Sequence, residues 1–184
     1  MAVPMDGFHM TNRRLSGLGL ADRKGAPETF EAQRFVSRLE ELAAARGPVS
    51  WPDFNRALDD PVEDALVVNP DVKLVFVEGN YLVLDRSPWN QVPRCLRQLW
   101  YVHADLGQLR VRLLRRQIVG GRLPRDAEGH VNRVDMINAQ TIERCRHRAG
   151  YVFELLPTDP LLHNVPDPAT GETLSLKDAG DAGR

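Results

Sequence analysis

The stretch VKLVFVEGN, residues 72–80, decides the fold. Apart from Lys73 its first six residues are all apolar, and three of them are Val. A nearly unbroken β-favouring run of this length predicts a strand buried on both faces of a parallel sheet. It ends at Glu78-Gly79-Asn80. Residues 99–102 form a second such run, closed by His103-Ala104-Asp105, and residues 151–156 a last apolar strand. A short apolar piece at 2–5 ends at Asp6-Gly7. Between these lie helical patterns. Residues 28–46 carry Ala32, Phe35, Val36, Leu39, Leu42 and Ala43 at helical spacing, opening after Pro27 and stopping at Gly47-Pro48. Asp105 reads as the N-cap of a helix with Leu106, Leu109 and Leu113 on its apolar face, and residues 132–148 predict another helix. Strands alternating with helices give an α/β layer fold, a parallel sheet flanked by helices. In such sheets the ligand crevice lies beyond the carboxyl ends of the strands, where Asp6, Glu78 and Asp105 fall.

The rest of the composition narrows the class. At 184 residues the chain is long enough for one domain with a sizeable core, expected over 1–156. Residues 157–184 are acidic and rich in Pro, Gly, Asp and Ala, and predict a flexible tail. A net charge of −1 excludes a globally basic nucleic-acid binder. No apolar run is long enough to span a bilayer, and MAVPMDGFHM predicts no secretory signal. Cys95 and Cys145 form no ligand cluster and predict buried thiols of a reducing, cytoplasmic compartment. Self-association stays open.

Three groups of residues could carry chemistry. Asp6, held by Gly7, is placed either as a general base for a substrate hydroxyl or as an Asx-turn carboxylate closing its strand. Glu78 is either the acid beside a Mg²⁺ ion or an edge-of-core acid capped by backbone amides. Residues 110–148 hold ten Arg against four acids. Arg112, Arg115 and Arg116 share one helical face, and Arg122 and Arg125 follow the break at Gly120-Gly121. Such a run is a mobile phosphate-covering lid or a solvated basic face. Nucleic acid is discounted because no aromatic residue is interleaved from 110 to 148.

Taken in order, PMDGFHM (4–10), RKGAPETFEA (23–32), WPDFNR (51–56) with Asp60-Pro61, VFVEGNYLVLD (75–85) and RVRLLRRQIVGGR (110–122) carry a resemblance. Over residues 2–156 the chain resembles the phosphoribulokinase, uridine kinase and bacterial pantothenate kinase group of P-loop kinases. The resemblance implies a P-loop NTPase-type sheet and transfer of the γ-phosphate of ATP, with Mg²⁺, to a hydroxyl of a nucleoside, pantothenate-like or sugar acceptor. It implies Asp6 as the base, Glu78 as the metal-side acid, and Arg112 and Arg115 as arginines of a lid over about 110–132. His9, Lys24 and Phe54 would line the acceptor pocket, and Arg116, Arg122 and Asn138 would lie near the nucleotide. The charge balance, the lack of interleaved aromatics and the lack of a long apolar run predict neither a nucleic-acid nor a membrane partner.

One departure is large. The family opens with a strand followed by G-x-x-x-x-G-K-[ST], whose amides and lysine cradle phosphate. The lysines here are Lys24, Lys73 and Lys177, and none follows such a turn. The first strand, the P-loop and its helix are expected to be missing together, which would leave the strands at 72–77 and 99–102 with unpaired inner edges. A truncated kinase is the first expectation. A non-catalytic small-molecule-binding remnant is the alternative.

Overall fold

The computed structural model describes residues 1–154 and the backbone of two short paired strands, Val165–Pro166 and Thr173–Leu174. The tail expected over 157–184 otherwise lies outside the described residues. The element order is β1 (Ala2–Pro4), α1 (Asn12–Gly17), α2 (Ala32–Ala44), β2 (Val49–Asn55), β3 (Asp60–Val68), β4 (Phe76–Glu78), α3 (Val92–Cys95), β5 (Trp100–His103), α4 (Leu106–Val119), α5 (Pro124–His130), α6 (Met136–Arg144) and β6 (Tyr151–Glu154). One compact unit comprises Met1–Tyr101 with Ile137–Val152; the second centres on Val102–Met136. The lid expected over 110–132 lies in the second unit.

In the first unit β1 and β4 run parallel, with Val3 opposite Val77 and Pro4 opposite Glu78. The core packs around them: Val3, Met5, Phe8, Phe35, Val36, Trp51, Tyr81 and Val92 are all fully buried. Edge-to-face contacts of Phe8 with Phe35 (5.1 Å) and Trp51 (5.2 Å) tie the β1 end to α2 and β2. The β2–β3 antiparallel hairpin, with a register shift between Trp51 and Asp53, is the longest ladder among the described residues. The sequence reading missed it, because WPDFNR carries Pro52 and little period-2 alternation.

Several expectations are corrected. The strand read over 72–77 is β4 alone, only Phe76–Glu78, and it is not buried on both faces. Val75 and Val77 are half-buried, while Leu74 and Phe76 are exposed. β4 pairs with β1 and β5 with β6, but β4 and β5 share no ladder. The helix read over 28–46 starts later, at Ala32, because Pro27–Thr29 forms a separate 3-10 turn. The helix read over 132–148 is interrupted by a π-helical turn at Val131–Asp135 and ends at Arg144. Asp105 does cap α4, accepting from the amides of Gly107 and Gln108. The Leu106, Leu109 and Leu113 face of α4 is only half-buried, however, since nothing among the described residues covers it fully. Cys95 and Cys145 are likewise half-buried free thiols rather than core residues, and burial still pushes the Cys95 thiol up.

Candidate functional site

The first unit gathers its acids where β1 and β4 end. After Pro4 the chain tightens into a 3-10 turn, Asp6–Phe8. The Met5 amide donates to the Glu78 carbonyl at 2.8 Å, so Asp6 and Glu78 leave the sheet at the same end. Two glycines permit this approach. A Cβ on Gly7 would sit 2.3 Å from the Pro52 carbonyl oxygen, and one on Gly79 would sit 2.5 Å from the Met5 Cβ. Gly7 thereby lays the Asp6 turn against β2 beside Asp53. Burial first, and then the charges of Asp6 and Asp53, push the Glu78 carboxyl above the usual carboxylate range; Arg56 opposes them. Asp53 and Arg56 were not singled out from sequence, and the hairpin that delivers them was the missing signal.

His9 forms the apolar wall. Its ring lies 3.9 Å from that of Phe30 and 4.9 Å from that of Phe54, between centroids. Its Nδ1 is 2.8 Å from the Asp6 main-chain oxygen. Burial lowers the His9 pKa, with the Asp6 carbonyl and carboxylate pulling the other way. Lys24 lies over the Phe54 ring at 5.2 Å, but its ammonium is committed to the hairpin turn. It donates to Asn12 Oδ1 at 2.7 Å, pairs with Asp59 Oδ2 at 2.9 Å and donates to the Asp59 carbonyl. Asn138 lies in this unit as well, where its Nδ2 donates to the Gly25 carbonyl at 3.2 Å, the same oxygen that accepts from the Tyr81 hydroxyl at 2.5 Å. So the structure groups Asp6, His9, Phe54 and Glu78, sets Lys24 at their edge, and uses Asn138 to pin the loop that carries Lys24.

The second unit holds the arginine run by itself. Arg112 and Arg115 are half-buried on α4, while Arg116 is exposed. Asp135, in the π-helical turn, accepts from Gln117 Nε2 at 2.9 Å and lies 3.9 Å from both Arg116 Nη2 and His130 Nε2. Arg122 Nε donates to Gln117 Oε1 at 3.0 Å. Arg116 and Arg122 are therefore knitted into this unit. Arg148, counted in the same basic run, belongs to the first unit and donates to the carbonyls of Val83, Leu84 and Asn90.

Among the described residues no three His, Cys, Asp or Glu side chains are arranged to hold a metal. The acids still suit Mg²⁺, which is held through one or two carboxylates plus phosphate oxygens rather than an all-protein cage. The crowding of Asp6 and Asp53 on Glu78 is what a cation would relieve. No helix among the described residues is long and apolar enough to cross a membrane.

No protein-family model matches the chain. Individual relatives do. It is 37% identical over 153 residues to the protein YggC of Escherichia coli K12, across 83% of this chain and 63% of that one, so it spans less than two thirds of that relative. It is 34% identical over 152 residues to the ATP-dependent kinase-like protein notR' of Aspergillus versicolor, across 77% of this chain and 88% of that one. The crystal structure of a candidate fructose transport system kinase from Silicibacter sp. TM1040 superposes with a TM-score of 0.77 at 33% identity, over 83% of this chain and 74% of that one. The P-loop kinase-like fold of YFH7 from Saccharomyces cerevisiae, at 21% identity, matches with a TM-score of 0.71 over 84% of this chain and 57% of that one. Because the chain covers 88% of the 34% identical ATP-dependent kinase-like relative and 74% of the 33% identical kinase structure, whose α/β fold it shares, it belongs to the P-loop kinase family.

Proposed function

We propose that this chain is the acceptor-binding and lid portion of an ATP-dependent small-molecule kinase, lacking the phosphate-binding loop. The observation that carries this reading is the placement of Asp6. Its carboxylate leaves the carboxyl end of β1 next to Glu78 and beside the aromatic wall of His9, Phe30 and Phe54. An acceptor hydroxyl seated there would give its proton to Asp6 as its oxygen bonds to the γ-phosphorus; the bond to the β,γ-bridging oxygen breaks and its electron pair leaves with ADP. Mg²⁺ at Glu78, directly or through water, would neutralise charge on the phosphate oxygens. Arg112 and Arg115 are the residues of this chain that would meet the equatorial oxygens with planar donors.

The test joins the 184-residue chain to a strand and G-x-x-x-x-G-K-[ST] turn placed ahead of Met1. Nucleoside, pantothenate-like and sugar acceptors are then offered with Mg·ATP, and phosphate esters are followed by phosphorus NMR. An ester is expected with one acceptor class, and Asp6→Asn should lower kcat by about 10²–10⁴-fold, the scale of general-base catalysis. Acceptor binding without any transfer would replace the kinase with the alternative, a non-catalytic binding protein.

A further inference from the structure

Asp135 is an acid set among arginines, and the backbone departs from a regular helix to put it there. Val131–Asp135 is a π-helical turn in which the Met136 amide donates to the Val131 carbonyl, five residues back. Five residues are about 1.4 turns of an α-helix, so an unbroken helix would turn His130 and Asp135 to different faces. The wider turn stacks them. His130 Nε2 lies 3.9 Å from Asp135 Oδ1, and both side chains are only 11% exposed. From there Asp135 reaches two arginines to which the transfer step gives no role. Its Oδ1 is 3.9 Å from Arg116 Nη2, and its Oδ2 accepts from Gln117 Nε2 at 2.9 Å. The Gln117 Oε1 in turn accepts from Arg122 Nε at 3.0 Å. Gln117 is thus oriented from both ends, and one carboxylate fixes two guanidiniums. Burial lowers the His130 pKa, Asp135 pulls it up, and Arg122, Arg116 and Arg133 press it down again. His130 therefore stays neutral at pH 7 and leaves the charge of Asp135 to the arginines.

Arg116 and Arg122 are themselves exposed, and each guanidinium keeps N–H donors to spare. A long cationic side chain samples many rotamers unless something holds it, and ordering it on binding costs affinity. We propose that Asp135 is a positioning residue: it holds Arg116 and, through Gln117, Arg122 as one preformed pair of planar donors for a polyphosphate. The polyphosphate class rests on the kinase reading above; the coupling of the pair to Asp135 rests on these contacts alone.

Charge alone gives the opposite sign, and that decides the test. Removing an acid beside two arginines should tighten anion binding if only Coulomb attraction counts. The intact chain is titrated with tripolyphosphate by calorimetry at pH 7 and low salt, and thermal unfolding is followed on the same samples. Asp135→Asn is expected to weaken tripolyphosphate about 3–30-fold, the span of coupling within one hydrogen-bonded network. Asp135→Glu, which keeps the charge, should recover part of that loss. Gln117→Ala and Arg122→Ala should each weaken binding, but Gln117→Ala should cost little more in the Arg122→Ala background, because Gln117 acts through that guanidinium. If Asp135→Asn fails to fold, this double-mutant cycle decides in its place. Unchanged or tighter binding by folded Asp135→Asn, additive losses in the cycle, or no saturable binding by the unaltered chain overturns the proposal. Non-additive losses with no phosphate ester from the joined chain leave the arginine pair standing and remove the kinase reading; ester formation with additive losses does the reverse.

Discussion

His9 holds its Nδ1 2.8 Å from the main-chain oxygen of Asp6 while its ring lies 3.9 Å from Phe30. A carbonyl only accepts, so Nδ1 carries the hydrogen and Nε2 is left as the acceptor of a neutral imidazole. Burial keeps the ring neutral, drawing its pKa below 6.5. The unfolded chain therefore binds this proton more readily than the folded one. Stability from this residue should be full above pH 6.5 and should fall as pH drops from there toward the lower folded value. His9→Phe should flatten that slope in urea titrations run between pH 7 and pH 5. An unchanged slope would assign the acid sensitivity elsewhere.

Glu78 predicts the opposite sign. Its folded pKa is raised by burial and by the charges of Asp6 and Asp53. The folded state holds the proton more tightly, so stability from this group declines as pH rises from 4.5 through the folded value, and the ionised group opposes folding at neutral pH. Glu78→Gln should raise Tm at pH 7. If Glu78 holds the metal through water, the same change should lower activity of the joined enzyme by about 10–100-fold. Stability gained with activity lost marks a residue retained for chemistry, and calorimetry beside a phosphotransfer assay reads both.

Gly7 and Gly79 are required for close approach. Gly7→Ala and Gly79→Ala would drive a methyl group into the Pro52 carbonyl and the Met5 side chain. Each should cost about 1–3 kcal/mol of overpacking in urea unfolding, and each should disturb the spacing of Asp6 and Glu78. Gly17 is the contrast. A Cβ there meets nothing within 4 Å, so Gly17→Ala should be neutral or stabilise by up to about 1 kcal/mol.

What the sequence conveyed and what it hid follow from physical reach. The N-cap at Asp105, the strand beginnings near residues 2 and 99 and the stop at Gly79 are local signals, and all are visible as residue types. Asp6 and Glu78 were legible because each ends an apolar run, and runs end at one edge of a parallel sheet. The β2–β3 hairpin was not legible, since its turn places Asp59 at positive φ, a conformation that Asp adopts without announcing it. With the hairpin went Asp53 and Arg56, and also the true partners of Lys24. The alternation of exposed and half-buried residues along 74–78 was hidden for another reason. Apolar residues on both faces of a strand state what the strand can pack against, not whether it does.

Arg115 offers the clearest separation of chemistry from architecture. If Arg112 and Arg115 act on transferring phosphate, their contribution belongs to the transition state. In the joined enzyme, Arg115→Ala should lower kcat by about 10²–10³-fold, the scale of one lost transition-state donor. Its effect on stability should stay within about 1 kcal/mol, as for a partly exposed ionic side chain. Arg115→Lys should recover only part of the rate, because a point charge lacks the planar fork. Leu113 shares α4 and is half-buried, so Leu113→Ala should cost about 0.5–3 kcal/mol of stability, and its folded fraction should turn over normally. Stopped-flow turnover and thermal unfolding on the same preparations separate the two residues. If Arg115→Ala melts the second unit while the folded fraction keeps its full kcat, the arginine is structural and the lid assignment is wrong.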